Sequence, residues 1–133
     1  MTDAAKVRWL EAPEEHDYPA AVAFLALLAE DVLVNRLVDA FRKAPPTTQK
    51  AKDILRASRL PLLGPDNEHV AAELQKVAHR APLSPILLVR GDLRSGTPLV
   101  IADGYHRVCA SYWIDENTGI PCRIASLPES ASS

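Results

Sequence analysis

The stretch Leu99-Val100-Ile101-Ala102-Asp103-Gly104-Tyr105-His106-Arg107-Val108-Cys109-Ala110 constrains this chain more than any other. A short apolar run ends at an Asp-Gly pair, and apolar residues then return at helical spacing through Val108, Ala110, Tyr112 and Trp113. That order predicts a strand, a turn and a helix, which calls for a sheet covered by helices rather than a bundle. A second short run, Ile86–Val89, comes before it, and residues 91–97 between the two read as a loose hairpin. Asn117, Thr118 and Gly119 stop the helix, and residues 121–124 make a last strand.

The first half reads as helical. Asp17 is placed to cap a helix with Pro19 in its first turn, where a missing N–H costs little. Val22, Phe24, Leu25, Leu27 and Leu28, then Val32, Leu33, Leu37, Val38 and Phe41, keep helical spacing, either continuously or with a break near Glu30-Asp31. Pro45-Pro46 ends the run. Thr47 or Thr48 is placed to cap a third helix carrying Ile54 and Leu55. Residues 59–63 read as extended before the Gly64-Pro65 turn. Asp66 is placed to cap a helix with Val70, Leu74 and Val77 on one face and His79 and Arg80 at its negative end.

Composition sets the class. With 133 residues, 47% hydrophobic and 24% charged, the chain suits one soluble globular domain. Cys109 and Cys122 are too few for a disulfide framework, and the first residues lack the basic-then-apolar order of a secretory signal. The longest mostly apolar run, 20–29, is too short to cross a bilayer. A cytoplasmic protein with reduced thiols and no membrane partner is expected. The net charge of -2 argues against a general nucleic-acid binder. Charge is nonetheless uneven: Arg36, Arg42, Lys43, Lys50, Lys52, Arg56 and Arg59 face only Asp39 and Asp53, which reads first as a solvated helix face.

The strand-to-helix turn is where chemistry is expected. Free N–H groups in the first turn of a helix suit an anion, and glycine lets the backbone approach a ligand. Arg107 offers a donor fork matched to phosphate or carboxylate, His106 a further donor, and Asp103 a group to hold a metal ion or orient a hydroxyl. The plain alternative is an N-cap, a turn glycine and a surface ion pair. Neither G-x-x-x-x-G-K-[ST] nor G-x-G-x-x-G occurs, and no G-x-S-x-G elbow supports a serine triad. His16 among Glu11, Glu14, Glu15 and Asp17 reads as exposed acid before a helix, and His69 and His79 are not spaced as a metal-ligand pair. No metal ligands are assigned. Trp9 and Trp113 read as packing anchors.

The succession of strand, Asp-Gly-Tyr-His-Arg, helix and Ile-Pro-Cys-Arg-Ile resembles the ParB/sulfiredoxin-like superfamily, whose members carry G-x-x-R or D-G-H-x-R motifs at this turn. The resemblance covers residues 53–127, including the segment 59–70 and Ser84-Pro85-Ile86-Leu87-Leu88-Val89. It is greatest for the free serine kinase branch, in the Asp-Gly-x-His-Arg motif. It implies an α/β (α+β) fold with a small mixed sheet and packed helices over 51–128; outside it, residues 1–50 read as a helical N-terminal extension and 129–133 as a frayed tail. It also implies a nucleotide or phosphorylated small molecule as ligand, cradled by Gly104, Tyr105, His106 and Arg107 with Arg59 near the phosphates. Asp103 and Glu68 are then the candidate catalytic acids, and Mg²⁺ would accompany the nucleotide.

Tyr105 stands where sulfiredoxins have their nucleophilic cysteine, so that activity is not expected. Cys109, one turn on, reads as a small buried residue. Tyr105-His106-Arg107 stands in place of the Glu-Arg-Arg type motif of ParB proteins, and no convincing helix-turn-helix pattern follows it, so chromosome partitioning is not expected. Three functions stay open: a Mg-dependent phosphotransferase or nucleotide hydrolase, a non-catalytic interaction module that dimerises through the N-terminal helices, and a ParB-like nuclease or DNA-binding protein. The first predicts that Arg107→Ala weakens ligand binding and leaves the fold intact.

Overall fold

Ile86, Leu87, Leu88 and Val89 are buried at every position because the strand they form is covered on both faces. Side chains alternate across a strand, so Ile86 and Leu88 enter one apolar cluster while Leu87 and Val89 enter another. The computed structural model describes residues 6–128, so the expected tail, 129–133, lies outside the described residues. Within them the order is α1 (Asp17–Leu25), α2 (Asp31–Lys43), β1 (Thr47–Lys50), α3 (Ala51–Ser58), α4 (Glu68–Ala78), β2 (Ile86–Val89), β3 (Val100–Asp103), α5 (Tyr105–Ile114) and β4 (Gly119–Ala125).

The four strands form one mixed sheet in the order β1-β4-β2-β3. β2 is parallel to β4 and antiparallel to β3, and β1 is antiparallel to β4. One face carries Ala51, Ile54 and Leu55 of α3, Val70 of α4 and Val108 and Cys109 of α5. The other carries Tyr18, Ala21 and Leu25 of α1 and Val34, Leu37 and Phe41 of α2. The result is a mixed α/β molecule of three layers, helices on both sides of the sheet.

Several sequence expectations change. A single helix over 17–43 would run about 40 Å, longer than the short strands beneath it, and the chain instead breaks at 26–30 into α1 and α2. Leu27 and Leu28 are left exposed in that break. Thr47 and Thr48 cap no helix: they pair with Cys122 and Pro121 of β4 as the start of β1, and α3 begins after Lys50. The segment ahead of residue 51 is therefore not a purely helical extension, since it supplies an edge strand and one whole covering layer. The cap of α4 is Asn67 rather than Asp66, its side chain accepting from the N–H groups of His69 and Val70.

β2 and β3 are out of register by one residue, since Leu87 faces Asp103 and Leu88 faces Ile101. Such a bulge re-aims the side chain next to it, here Asp103 at the end of the strand. Gly104 follows with φ 115, and a Cβ there would come within 2.3 Å of Ile86 Cγ2. Only glycine fits both the torsion and the space. Arg107 is thereby brought back beneath the strand end. Cys109 and Cys122 are buried free thiols, their pKa raised chiefly by burial.

Candidate functional site

Arg107 sits one helical turn beyond Gly104, with its side chain directed into the protein rather than into solvent. Its Nη2 donates to Asp103 Oδ2 at 2.6 Å, and Nη1 donates to the carbonyls of Ser84 at 2.6 Å and Pro85 at 3.3 Å. Nη1 also lies 3.7 Å from Asp17 Oδ2. One buried guanidinium thus holds two carboxylates from opposite ends of the chain together with the segment leading into β2. The fork expected to face a phosphate is spent on these internal partners. Arg107 is consequently part of the fold, which corrects the expectation that its loss would leave the fold intact.

Asp17 is the second departure from the sequence reading. It does not cap α1; it is the first helical residue, buried, and its carboxylate accepts from the Glu14 N–H at 3.1 Å and from the Ser84 hydroxyl. The Glu14 N–H also reaches Ser84 Oγ at 3.1 Å. His16 is exposed, with Nε2 3.5 Å from Asp17 Oδ1 and Nδ1 3.7 Å from Glu14 Oε2. The acidic segment before α1 therefore folds onto the Asp103-Gly104 turn instead of lying free.

These groups open into a cleft of about 260 Å³ whose walls include Glu14, His16, Asp17, Ser84, Asp103 and Arg107. Glu73 and Lys76 of α4 complete its polar lining, with Lys76 Nζ 3.5 Å from Glu73 Oε1. That oxygen is buried and accepts no hydrogen bond. Burial pushes the Asp103 carboxyl above its usual range; Arg107 opposes the rise, and the neighbouring Asp17 carboxylate adds to it. The cleft thus pairs a carboxyl of enhanced basicity with one fixed guanidinium and the half-exposed Lys76 ammonium, groups that acid–base chemistry uses.

Tyr105 and His106, at the start of α5, face the other way. The Tyr105 hydroxyl donates to the Pro61 carbonyl, and burial raises its pKa. The His106 ring lies 4.8 Å from that of His69. Burial and then His69 lower its pKa, with Glu73 opposing. The N–H groups of the first turn of α5 have no partner within the helix, whose first backbone bond runs from the Val108 N–H to Gly104 O.

Of the residues singled out from sequence, Asp103 and Arg107 line the cleft, and Gly104, Tyr105 and His106 form the adjoining turn. Glu68 and Arg59 do not belong to it. Glu68 is exposed, 3.6 Å from the His69 ring, and Arg59 lines a different cavity beside the β2–β3 hairpin. Sequence reading missed Ser84, Glu73 and Lys76 and took Asp17 for a cap. The one available signal was the density of charge in Glu14-Glu15-His16-Asp17 just ahead of a proline. Trp9 packs against the core, and Trp113 is half exposed with its indole N–H donating to the Leu63 carbonyl at 2.8 Å. Among the described residues no group of three His, Cys, Asp or Glu side chains is placed to hold a metal ion.

Comparison with known proteins gives no match: no family model, no curated protein and no solved structure is significantly similar to this chain. No helix among the described residues is long and apolar enough to cross a membrane.

Proposed function

We propose that this chain is a nucleotide- or phosphate-binding protein of the ParB/sulfiredoxin-like kind and that the Asp103–Arg107 cleft is a phosphotransfer or nucleotide-hydrolysis site. The observation that carries this reading is the junction of two features. The partnerless N–H groups that open α5 adjoin a cleft in which a partly buried carboxyl of raised pKa is held by an arginine.

Each part has a role in that reading. In this reading the Lys76 ammonium, in the cleft lining, receives phosphate charge, and the N–H groups that open α5 after Asp103 add to it. Glu14, Asp17 and Asp103 make an acidic side that receives the hydroxyl of an acceptor, or a water. Arg107, itself fixed by the Ser84 and Pro85 carbonyls, orients Asp103. The Asp103 carboxylate takes the proton of the attacking hydroxyl, and its raised pKa makes it a stronger base than an ordinary aspartate.

The residues fit Mg²⁺ as the counter-ion of a nucleotide, not as the occupant of a cage. Mg²⁺ commonly takes one or two carboxylates beside substrate phosphates, and Glu73, whose Oε1 has the Lys76 ammonium 3.5 Å away and accepts no hydrogen bond, would supply one. When bound, the ion neutralises phosphate charge.

Turnover tests the assignment. With ATP, GTP and CTP as trial substrates, Asp103→Asn is expected to lower the rate by about a hundredfold while nucleotide binding persists. In the unsubstituted chain the rate falls on the acid side at a pH above the ordinary aspartate value of 3.8, because the ionised form is the active one. A rate indifferent to Asp103→Asn removes Asp103 from the chemistry.

A further inference from the structure

The basic stretch that ends at Arg59 is solvent-exposed, and its last two arginines also line a cavity. Arg56, near the end of α3, and Arg59, just after it, meet Arg90, which follows β2, around a cavity of about 380 Å³. The β2–β3 hairpin closes the other side through Gly91, Asp92, Leu93, Gly96 and Thr97. Ala57, Pro98 and Leu99 give it apolar walls. No residue is shared with the Asp103 cleft. We propose that this cavity is a second binding site, for a small organic phosphate whose anionic head meets the three guanidinium groups and whose apolar body lies on Ala57, Pro98 and Leu99.

Charge is unbalanced in favour of an anion. Arg56 has an exposed partner, Asp53, at 3.4 Å, but among the described residues no carboxylate pairs with Arg59 or Arg90. The Arg90 Nε contact is to a neutral hydroxyl, Ser126 Oγ, at 3.3 Å. Asp92, the one acid in the lining, turns its Oδ1 to the Arg94 N–H at 3.1 Å and so closes the hairpin turn. Guanidinium groups are also the side chains best matched to phosphate oxygens.

The backbone is arranged around the same place. Arg59 has φ 60 and ψ 22, a left-handed conformation at a helix end that glycine adopts at lower cost. The chain keeps a long cationic side chain there. The hairpin is held shut by the paired Asp92 and Thr97 and by Gly91, where a Cβ would lie 2.4 Å from Thr97 O. The Leu99 N–H donates to the Ala57 carbonyl at 3.0 Å, fixing the wall to α3. A walled cavity of this volume suits a small ligand, whereas a nucleic-acid strand calls for an extended basic stripe.

The test uses the full chain titrated calorimetrically with phenyl phosphate, alongside Arg59→Gly, Arg90→Ala and Lys76→Ala. Arg59→Gly removes the guanidinium where the backbone already suits glycine, and both arginines are exposed, so neither change threatens folding. Saturable binding is expected, weakened about tenfold by Arg59→Gly and by Arg90→Ala, and any further component at the Asp103 cleft is the one that Lys76→Ala weakens. Absence of binding, equal binding in the arginine variants, or tighter binding of a short single-stranded oligonucleotide than of phenyl phosphate each overturns the proposal. The two sites are told apart because the arginines line only this cavity and Lys76 only the Asp103 cleft.

Discussion

Arg107 lies between two carboxylates, and without it Asp17 and Asp103 would face each other with no guanidinium between them and only the exposed His16 ring 3.5 Å from Asp17. Removing one member of such a group leaves an uncompensated buried charge, which typically costs about 3–5 kcal/mol. Arg107→Ala is therefore expected to lower unfolding stability by about that amount in urea denaturation, with part recovered by adding Asp17→Asn. A loss below about 1 kcal/mol would mean that the network does not hold the fold. At this scale the sequence exposed Asp103 and Arg107 because both belong to one short local motif. It did not expose Asp17 or Ser84, whose bonds to each other and to Arg107 join distant segments, nor the inward turn of the guanidinium. Residue type showed what Arg107 can bind; only packing decided what it does bind.

The turn from β3 to α5 carries the site because a bulge and a glycine act in succession. Ala102 is the unpaired residue that shifts Asp103 opposite Leu87, and Gly104 then passes over Ile86 with φ 115. Gly104→Ala meets both a disfavoured torsion and a Cβ contact of 2.3 Å with a fully buried side chain. It is expected to destabilise by about 2–4 kcal/mol, measured by thermal unfolding. Trimming Ile86 as well should not restore the stability, since the torsion remains. A neutral Gly104→Ala would show that the turn has other conformations open to it. The elements with strong local signals, β2, β3, α5 and the stop after α2, were legible for that reason. β1 was not: Thr-Thr-Gln-Lys has no apolar alternation, and its pairing with β4 makes it a strand.

At the scale of the whole molecule, the two helical layers are not interchangeable with an extension. α1 and α2 bury Leu87, Val89, Ala102 and Ala125 of the sheet, and α1 also delivers Asp17 to the cleft. A fragment lacking residues 1–45 would expose that face and leave Arg107 without one of its carboxylates. It is expected to lose cooperative unfolding and dispersed amide resonances; a well-folded fragment would contradict the three-layer account. This coupling was hidden in the sequence, where the first fifty residues differ in pattern from the rest and read as a separate helical piece. The cleft inherits its composition from both parts, with Asp17 from one and Asp103, Arg107, Glu73 and Lys76 from the other. The most direct measurement is a calorimetric titration of the full chain with ATP, with and without Mg²⁺, beside Lys76→Ala and Arg90→Ala. The account predicts an ATP site weakened about tenfold by Lys76→Ala that survives Arg90→Ala. No nucleotide binding, or ATP binding lost with Arg90→Ala and intact in Lys76→Ala, would contradict the placement of the phosphate site at the Asp103–Arg107 cleft.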